Sequence, residues 1–278
     1  MAVQITTLSE NTAGQGELLG EWGLSVLVET EDVMVLLDTG QTFSVIHNAA
    51  ILGIDLSKID KIVLSHGHFD HTGGLRQLLR RIGKNVDIIA HPDIWQAKYA
   101  RRQGEADRYN GIPFQQDELE SLGGVFQLSS QPVHITKNVM TTGEIPMVTD
   151  FEEMDTVFSV KDGTAWKPDK IMDDLALIVE TEQGLVVISG CAHRGIINTL
   201  YHVQDITGTT EIHTLIGGSH LVNASEERLR KTIAALKDMG LQRLGLCHCT
   251  DLPAASVLAQ EFGDKFFFNK AGTIVHVP

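Results

Sequence analysis

Apolar residues along this chain come in short runs with two different periods. Residues 24–28 and 33–37 are apolar runs joined by the polar Glu29-Thr30-Glu31-Asp32, which reads as a β-hairpin. A helical stretch over 44–52 follows, and Lys61-Ile62-Val63-Leu64-Ser65 then reads as a short buried strand. Leu75, Leu78, Leu79 and Ile82 recur at helical spacing, and Asp87-Ile88-Ile89-Ala90 returns to a strand that ends at His91-Pro92. Strands alternating with helices predict an α/β fold. Residues 96–135, and the stretch to Phe126 above all, are more polar and carry few periodic apolar positions. They are expected to form an insertion that covers or frames a site. Further strands are predicted over 138–142, 176–180, 185–189, 212–216, 243–246 and 265–268. Helices are predicted over 196–206 and 225–239, the second with Ser225 as its N-cap. Both halves carry strands and helices, which suits two sheets stacked between helices in a single domain spanning 1–278. There is no internal repeat, low-complexity tract or linker.

Composition narrows the functional classes. The hydrophobic share of 42% and charged share of 21% are those of an ordinary globular protein. A formal charge of −14 disfavours nucleic acid as a partner, because that affinity comes largely from Lys and Arg releasing condensed counterions. Bound divalent cations would offset acidic charge locally, so the balance leaves an anionic small-molecule substrate open. The start Met1-Ala2-Val3-Gln4-Ile5 has no signal-peptide pattern, and no segment reaches the roughly 20 apolar residues of a membrane helix. A cytoplasmic location without a membrane partner is the expectation. Cys191, Cys247 and Cys249 are odd in number, which suits thiols near a site better than a disulfide framework.

The candidate chemistry lies where the strand at 61–65 runs into His66-Gly67-His68-Phe69-Asp70-His71. On an extended segment His66 and His68 leave the same side and can reach one cation, while Asp70 and His71 follow in the turn and can address a second. Gly73-Gly74 and a helix come next, a setting unlike that of a surface histidine run. The segment Ser65-His66-Gly67-His68-Phe69-Asp70-His71-Thr72-Gly73-Gly74 resembles the HxHxDH signature of the metallo-β-lactamase superfamily. That resemblance implies an αββα four-layer sandwich, with His66 and His68 on a first metal and Asp70 and His71 on a second. It also implies that Asp38, at the end of an apolar run, orients the histidine loop from behind.

Two-metal sites need further ligands, and the ends of later strands offer them. Ser189-Gly190-Cys191-Ala192-His193 is one such end. In most of the superfamily an aspartate that bridges the metals stands at the Cys191 position, so either Cys191 or His193 is expected to take that role, with His193 preferred. The second end is Cys247-His248-Cys249. On an extended strand either His248 or the two cysteines face the metals, and His248 is the choice. Its spacing from Cys191 is similar to that in the ribonuclease Z-like and cyclic-phosphodiesterase branches, which implies that His220 is a general acid or substrate contact. An alignment with the glyoxalase II branch would instead make His220 the last ligand. The remaining ligand of the first metal is expected from Asp173-Asp174, with Asp174 taken as the ligand, and His91 is expected to line the cavity.

Four further segments, around Thr142-Gly143-Glu144-Ile145-Pro146, Gly190 to Thr199, Gly217-Gly218-Ser219-His220-Leu221 and Cys247-His248-Cys249-Thr250, narrow the resemblance. They look like the proteins called 7,8-dihydropterin-6-methyl-4-(β-D-ribofuranosyl)-aminobenzene-5′-phosphate synthase. Asp251 and Ser219 depart from that group's pattern, since glycine is usual at the first position and an aromatic residue at the second. The expected function is metal-dependent hydrolysis of a phosphorylated small molecule, first a phosphodiester, by water activated on two divalent ions, with Asp70 and His220 assisting. Zinc is the expected metal, and manganese or iron suits the same ligands. An esterase or lactonase of the same fold is the alternative. A di-iron oxidoreductase is less favoured, because such members carry a flavin domain and the sequence given has no room for one after Pro278.

Overall fold

Period-2 alternation in the strands puts one side of each against a facing sheet and the other against helices. The computed structural model describes residues 2–278. β1 (Val3–Ser9), β2 (Ser25–Glu29), β3 (Met34–Leu37), β4 (Lys61–Val63), β5 (Val86–Ala90), β8 (Gly124–Leu128) and β16 (Ile274–Val277) form one sheet in the order β16-β1-β2-β3-β4-β5-β8. β9 (Val139–Thr141), β12 (Ala176–Thr181), β13 (Gly184–Ser189), β14 (Ile212–Gly218) and β15 (Arg243–Cys247) form a second, in the order β15-β14-β13-β12-β9. In β12, Leu177 and Val179 meet Val35, Leu37 and Val63 of the first sheet in the central core. Ala176 and Ile178, on the other face, pack against helices.

Three helices, α5 (Ile196–Thr207), α6 (Glu226–Asp238) and α7 (Asp251–Phe262), cover the outside of the second sheet through Leu200, Leu236 and Leu258. On the first sheet lie α1 (Ser44–Ile51), α3 (Leu75–Ile82) and the short α4 (Gln116–Ser121), while α2 (Phe69–Thr72) is a single turn inside the histidine segment. Helix α3 buries Leu75, Leu78, Leu79 and Ile82, the four positions its spacing predicts. Each such side chain stabilises the fold by roughly 1.5–3 kcal/mol through burial. The layers are helix, sheet, sheet, helix, the αββα sandwich expected.

The polar segment after Gln96 forms a third sheet above the others. β6 (Lys98–Ala100) and β7 (Arg108–Tyr109) pair with the hairpin of β10 (Phe158–Asp162) and β11 (Ala165–Pro168), in the order β11-β10-β6-β7. This cap differs from the expected insertion at both ends. β8, inside the expected 96–135, is an edge strand of the seven-stranded sheet, and half of the cap comes from 158–168. The strand expected over 265–268 is instead a 3₁₀ turn (Gly263–Lys265) followed by a single bridge from Phe266 to Leu244 of β15, with Phe266 packed under the outer helices and Phe267 toward the central core. Among the described residues, no helix is long and apolar enough to cross a membrane.

The strands that matter for chemistry are the parallel ones. β3, β4 and β5 run parallel, as do β13, β14 and β15. Asp38, the histidine segment, Cys191, His220 and His248 all follow the C-terminal ends of these strands. Four of the residues at these ends hold left-handed backbone without being glycine: Asp38 (φ 59), Ala192 (φ 54), His220 (φ 48) and His248 (φ 54). Such conformations are uncommon outside glycine and each costs on the order of 1–3 kcal/mol, so their clustering at one edge marks a constrained site.

Candidate metal centre

The segment after β4 bends at Ser65 and Gly67 and is extended again at His68, and the rings of His66 and His68 come together across it. His66 Nε2 lies 3.0 Å from His68 Nδ1. Ala192, in its left-handed conformation, turns the chain after β13 so that His193 joins them, and the ligand atoms of His66, His68 and His193 all lie within 4.8 Å of one another. Asp70, His71 and His248 make a second group on the same criterion. His71 Nε2 is 3.2 Å from His248 Nε2, and Asp70 Oδ2 is 3.4 Å from it. Cys191 Sγ stands between the groups, 3.1 Å from His71 Nε2 and in one cluster with His66 and His71.

Asp38 supports both groups. Its Oδ1 accepts the Ser65 N–H (2.7 Å), and its Oδ2 accepts the Ser65 hydroxyl (2.6 Å) and lies 2.6 Å from His71 Nδ1. Ser65 Oγ in turn contacts His66 Nδ1 at 2.9 Å. Gly190 makes this approach possible, since a Cβ there would sit 2.0 Å from Ser65 Oγ. His248 is held by Asn11 Oδ1 on Nδ1 (3.0 Å), and its backbone N–H donates to Glu10 Oε1.

Electrostatics separates the groups. Burial, reinforced by the neighbouring imidazoles, holds His66 and His193 well below the usual histidine range. Burial likewise takes His68 down to about 3. These three rings are therefore neutral, the form that binds a cation. Burial also opposes charge on His71, but the Asp38 and Asp70 carboxylates outweigh it and hold the ring up at about 9. For Asp70 burial works toward protonation, and His71 and His248 outweigh it, keeping the carboxyl well below its ordinary range.

The residues fit a pair of divalent cations. Both ring nitrogens of His193 are buried without a hydrogen-bond partner, an arrangement that wastes polar atoms unless something binds them. Three imidazoles form one donor set, and two imidazoles with a carboxylate form the other, both being ordinary ligand sets for borderline metals. We refer to His66, His68 and His193 as the first set, and to Asp70, His71 and His248 as the second.

Several expectations change. Asp174 belongs to none of the clusters found among the described residues; its Oδ2 accepts the Arg194 N–H at 2.8 Å and so braces the turn carrying His193, while its Oδ1 is buried without a hydrogen-bond partner, and it is His193 that joins His66 and His68. Cys191 and His193 are not alternatives, because the turn at Ala192 brings both inward. Nor do His248 and Cys249 exclude one another: β15 ends at Cys247 and His248 turns left-handed into a 3₁₀ turn, so alternation stops and both cluster with Cys191. Cys247 faces away, in the central core. His91 does not line the cavity. Its Nδ1 accepts the Asp93 N–H at the head of a 3₁₀ turn and its Nε2 meets Glu144 at 2.9 Å. His220 clusters with Cys191 and His193 but not with the second set.

Both sets open into a cavity of about 330 Å³. Its floor carries His68, Asp70, His193, His220 and His248; the cap contributes Arg102, Arg108 and Phe158, and Trp22 closes one side. Arg108 lies over the Phe69 ring at 5.0 Å. Sequence reasoning missed these wall residues, together with Glu10 and Asn11. None stands in a motif, and the first strand, which delivers Glu10 and Asn11, was itself not predicted.

Comparison with known proteins agrees with this geometry. Residues 23–205 match the family model described as the metallo-beta-lactamase superfamily. The chain is 34% identical to the 7,8-dihydropterin-6-methyl-4-(beta-D-ribofuranosyl)-aminobenzene-5′-phosphate synthase of Methanocaldococcus jannaschii, over 98% of this chain and 96% of that protein. An uncharacterized protein of the same organism is 30% identical, over 98% of this chain and 100% of its own length. A crystal structure described as a metal-dependent hydrolase of the beta-lactamase superfamily superposes with a TM-score of 0.86 at 29% identity, covering 99% of both chains. The chain thus belongs to the metallo-β-lactamase superfamily and, within it, to the group that contains the dihydropterin ribofuranosylaminobenzene phosphate synthase.

Proposed function

We propose that this protein is a hydrolase that uses two divalent cations, zinc first among them, to cleave a phosphoester bond in a small anionic substrate. The observation that carries this reading is the convergence of two three-residue ligand sets on one cavity whose cap wall holds Arg102 and Arg108. The cations would be held by His66, His68 and His193, and by Asp70, His71 and His248, and when bound they supply an activated water and charge neutralisation at the reacting centre.

The chain's own groups have distinct parts. Arg102 and Arg108 bring positive charge to the wall of an otherwise acidic protein, and guanidinium groups match phosphate oxygens in fork geometry. Asp70 stays ionised and accepts a hydrogen bond from the attacking water, fixing its direction. His220 faces the same cavity with no hydrogen-bond partner on either ring nitrogen. Burial opposes its charge, but Asp155 and Cys249 outweigh burial and hold the ring up at about 9, so at neutral pH it carries a proton to deliver to the leaving oxygen. Phe158 and Trp22 offer ring faces to the organic part of the substrate.

The test is elemental analysis of the purified protein, followed by rates on bis(p-nitrophenyl) phosphate, p-nitrophenyl acetate and simple lactones. We expect about stoichiometric metal in each set, the phosphodiester as the best of these substrates, and loss of metal and rate in His68→Ala. Full metal and rate in His68→Ala would overturn the reading. A preference for the ester or lactone would replace the phosphoester with a carboxyl ester, and bound iron with oxygen uptake would point to redox chemistry. The identity of 34% supports a second reading, the synthase activity that the relative's name states; formation of that 5′-phosphate product is the assay.

A further inference from the structure

The cap holds the largest of the fully buried side chains, and it is a lysine. Lys98 is 1% exposed, on β6. Its ammonium donates to Asp173 Oδ1 at 2.8 Å and to Asp169 Oδ2 at 3.0 Å. Burial opposes the charge, but the two carboxylates outweigh it and keep Lys98 protonated. A lysine in an interior is expensive unless fully paired, and replacing such an ion group by apolar side chains is often neutral or stabilising, so stability alone does not explain it.

The triad leads to the metal centre. The second oxygen of Asp173 accepts the N–H of Gly67, at 2.7 Å, and Gly67 is the residue between His66 and His68. Only glycine fits beside the triad: a Cβ at Gly67 would lie 3.2 Å from Lys98 Cε, 3.3 Å from Asp173 Oδ2 and 2.5 Å from the Ile94 carbonyl. The peptide joining the two ligands is therefore clamped by the Asp173 hydrogen bond, with the Lys98 stem and the Ile94 carbonyl closing the space beside Gly67. One residue further on, the Phe69 N–H donates to the Asn110 carbonyl, and the Asn110 N–H donates to the Lys98 carbonyl. Asp169 extends the hold to the far side of the cap, accepting the Ile171 N–H at 2.8 Å.

We propose that Lys98 is a positioning residue of the first ligand set: acting through Asp173, it fixes the Gly67 peptide and with it the spacing of His66 and His68. The proposal rests on the reading that these residues hold a cation. The cap is then part of the metal centre's frame as well as a wall for substrate.

The test compares cobalt(II) binding to chelator-stripped wild type, Lys98→Met and the double variant Lys98→Met/Asp169→Asn, by visible absorption and titration, with circular dichroism to follow the fold. Wild type should take up two equivalents. In Lys98→Met the tighter spacing is lost, so one equivalent should bind about ten- to a hundredfold more weakly with an altered visible spectrum, while the other is kept. The double variant removes one buried anion with the buried cation; it keeps the measurement possible if Lys98→Met does not fold, and the same weakened equivalent is expected in it. The proposal is overturned if the folded variants show wild-type affinities and spectrum and differ only in melting temperature. Failure of wild type to bind cobalt would instead overturn the metal reading on which it rests.

Discussion

The two ligand sets are held in different ways. In the second set, His71 and His248 each have the nitrogen away from the centre on a polar side chain, Asp38 for one and Asn11 for the other. In the first set only His66 has such a partner, Ser65. His68 leaves Nε2 unpaired and His193 leaves both nitrogens unpaired. What holds those two rings is backbone and packing: the clamped Gly67 peptide, the left-handed turn at Ala192, and the Phe158 ring, 4.8 Å from His68 and 5.2 Å from His193. The second set is thus fixed by side-chain hydrogen bonds from the sandwich, and the first largely by backbone and by packing against the cap. The lesson is that one candidate centre depends on two parts of the chain, the sandwich and the cap, through different kinds of contact.

Asp38→Ala should erase the difference and is expected to have the largest effect. It leaves the Ser65 N–H, the Ser65 hydroxyl and His71 Nδ1 without their acceptor in a fully buried place, at about 1–3 kcal/mol for each lost partner. Metal content should fall in both sets and the melting temperature with it, read by elemental analysis and calorimetry. Phe158→Ala should then separate the sets. Losing ring contacts worth about 0.5–1.5 kcal/mol each should weaken the first cation by roughly tenfold, with the second unchanged in a two-site cobalt titration. Asn11→Ala is the reverse and smallest change. It removes the contact with the His248 ring, a hydrogen bond to the His248 carbonyl and one from the Gly23 N–H, about 0.5–1.5 kcal/mol each; only the first orients the ring, so the second cation alone should weaken, by less than tenfold. Equal effects of Phe158→Ala and Asn11→Ala on both cations would remove the distinction.

How much of this was legible in the sequence follows the same division. The sandwich was readable because its strands are apolar on both faces and its helices carry a stripe, as in Leu75, Leu78, Leu79 and Ile82. The second set was readable for Asp70 and His71 because they sit in one contiguous motif. The cap was legible only as a polar insertion expected over 96–135, and its strands were not, since β6, β7, β10 and β11 are two to five residues long and, Lys98 apart, exposed or half-buried, leaving no period to count. Lys98 looked like one more cation in a polar stretch, because its burial depends on Asp169 and Asp173, some seventy residues away. The structure brings His193, not foreseen there, into the cluster with His66 and His68, and leaves Asp174 beside it, for a local reason. Counting along the chain cannot show that Ala192 takes a left-handed conformation, and that single turn delivers His193 to the place a separate strand was expected to fill.

One oxygen of Asp38 has a wider consequence. It receives the Ser65 hydroxyl, which touches His66, and it faces His71 directly, so a member of each set leans on the same atom. Any cation that draws electron density from one imidazole alters what that oxygen offers the other, and by reciprocity the influence runs equally in both directions. If both sets hold cations, occupancy of one would then bear on the affinity of the other through that shared oxygen.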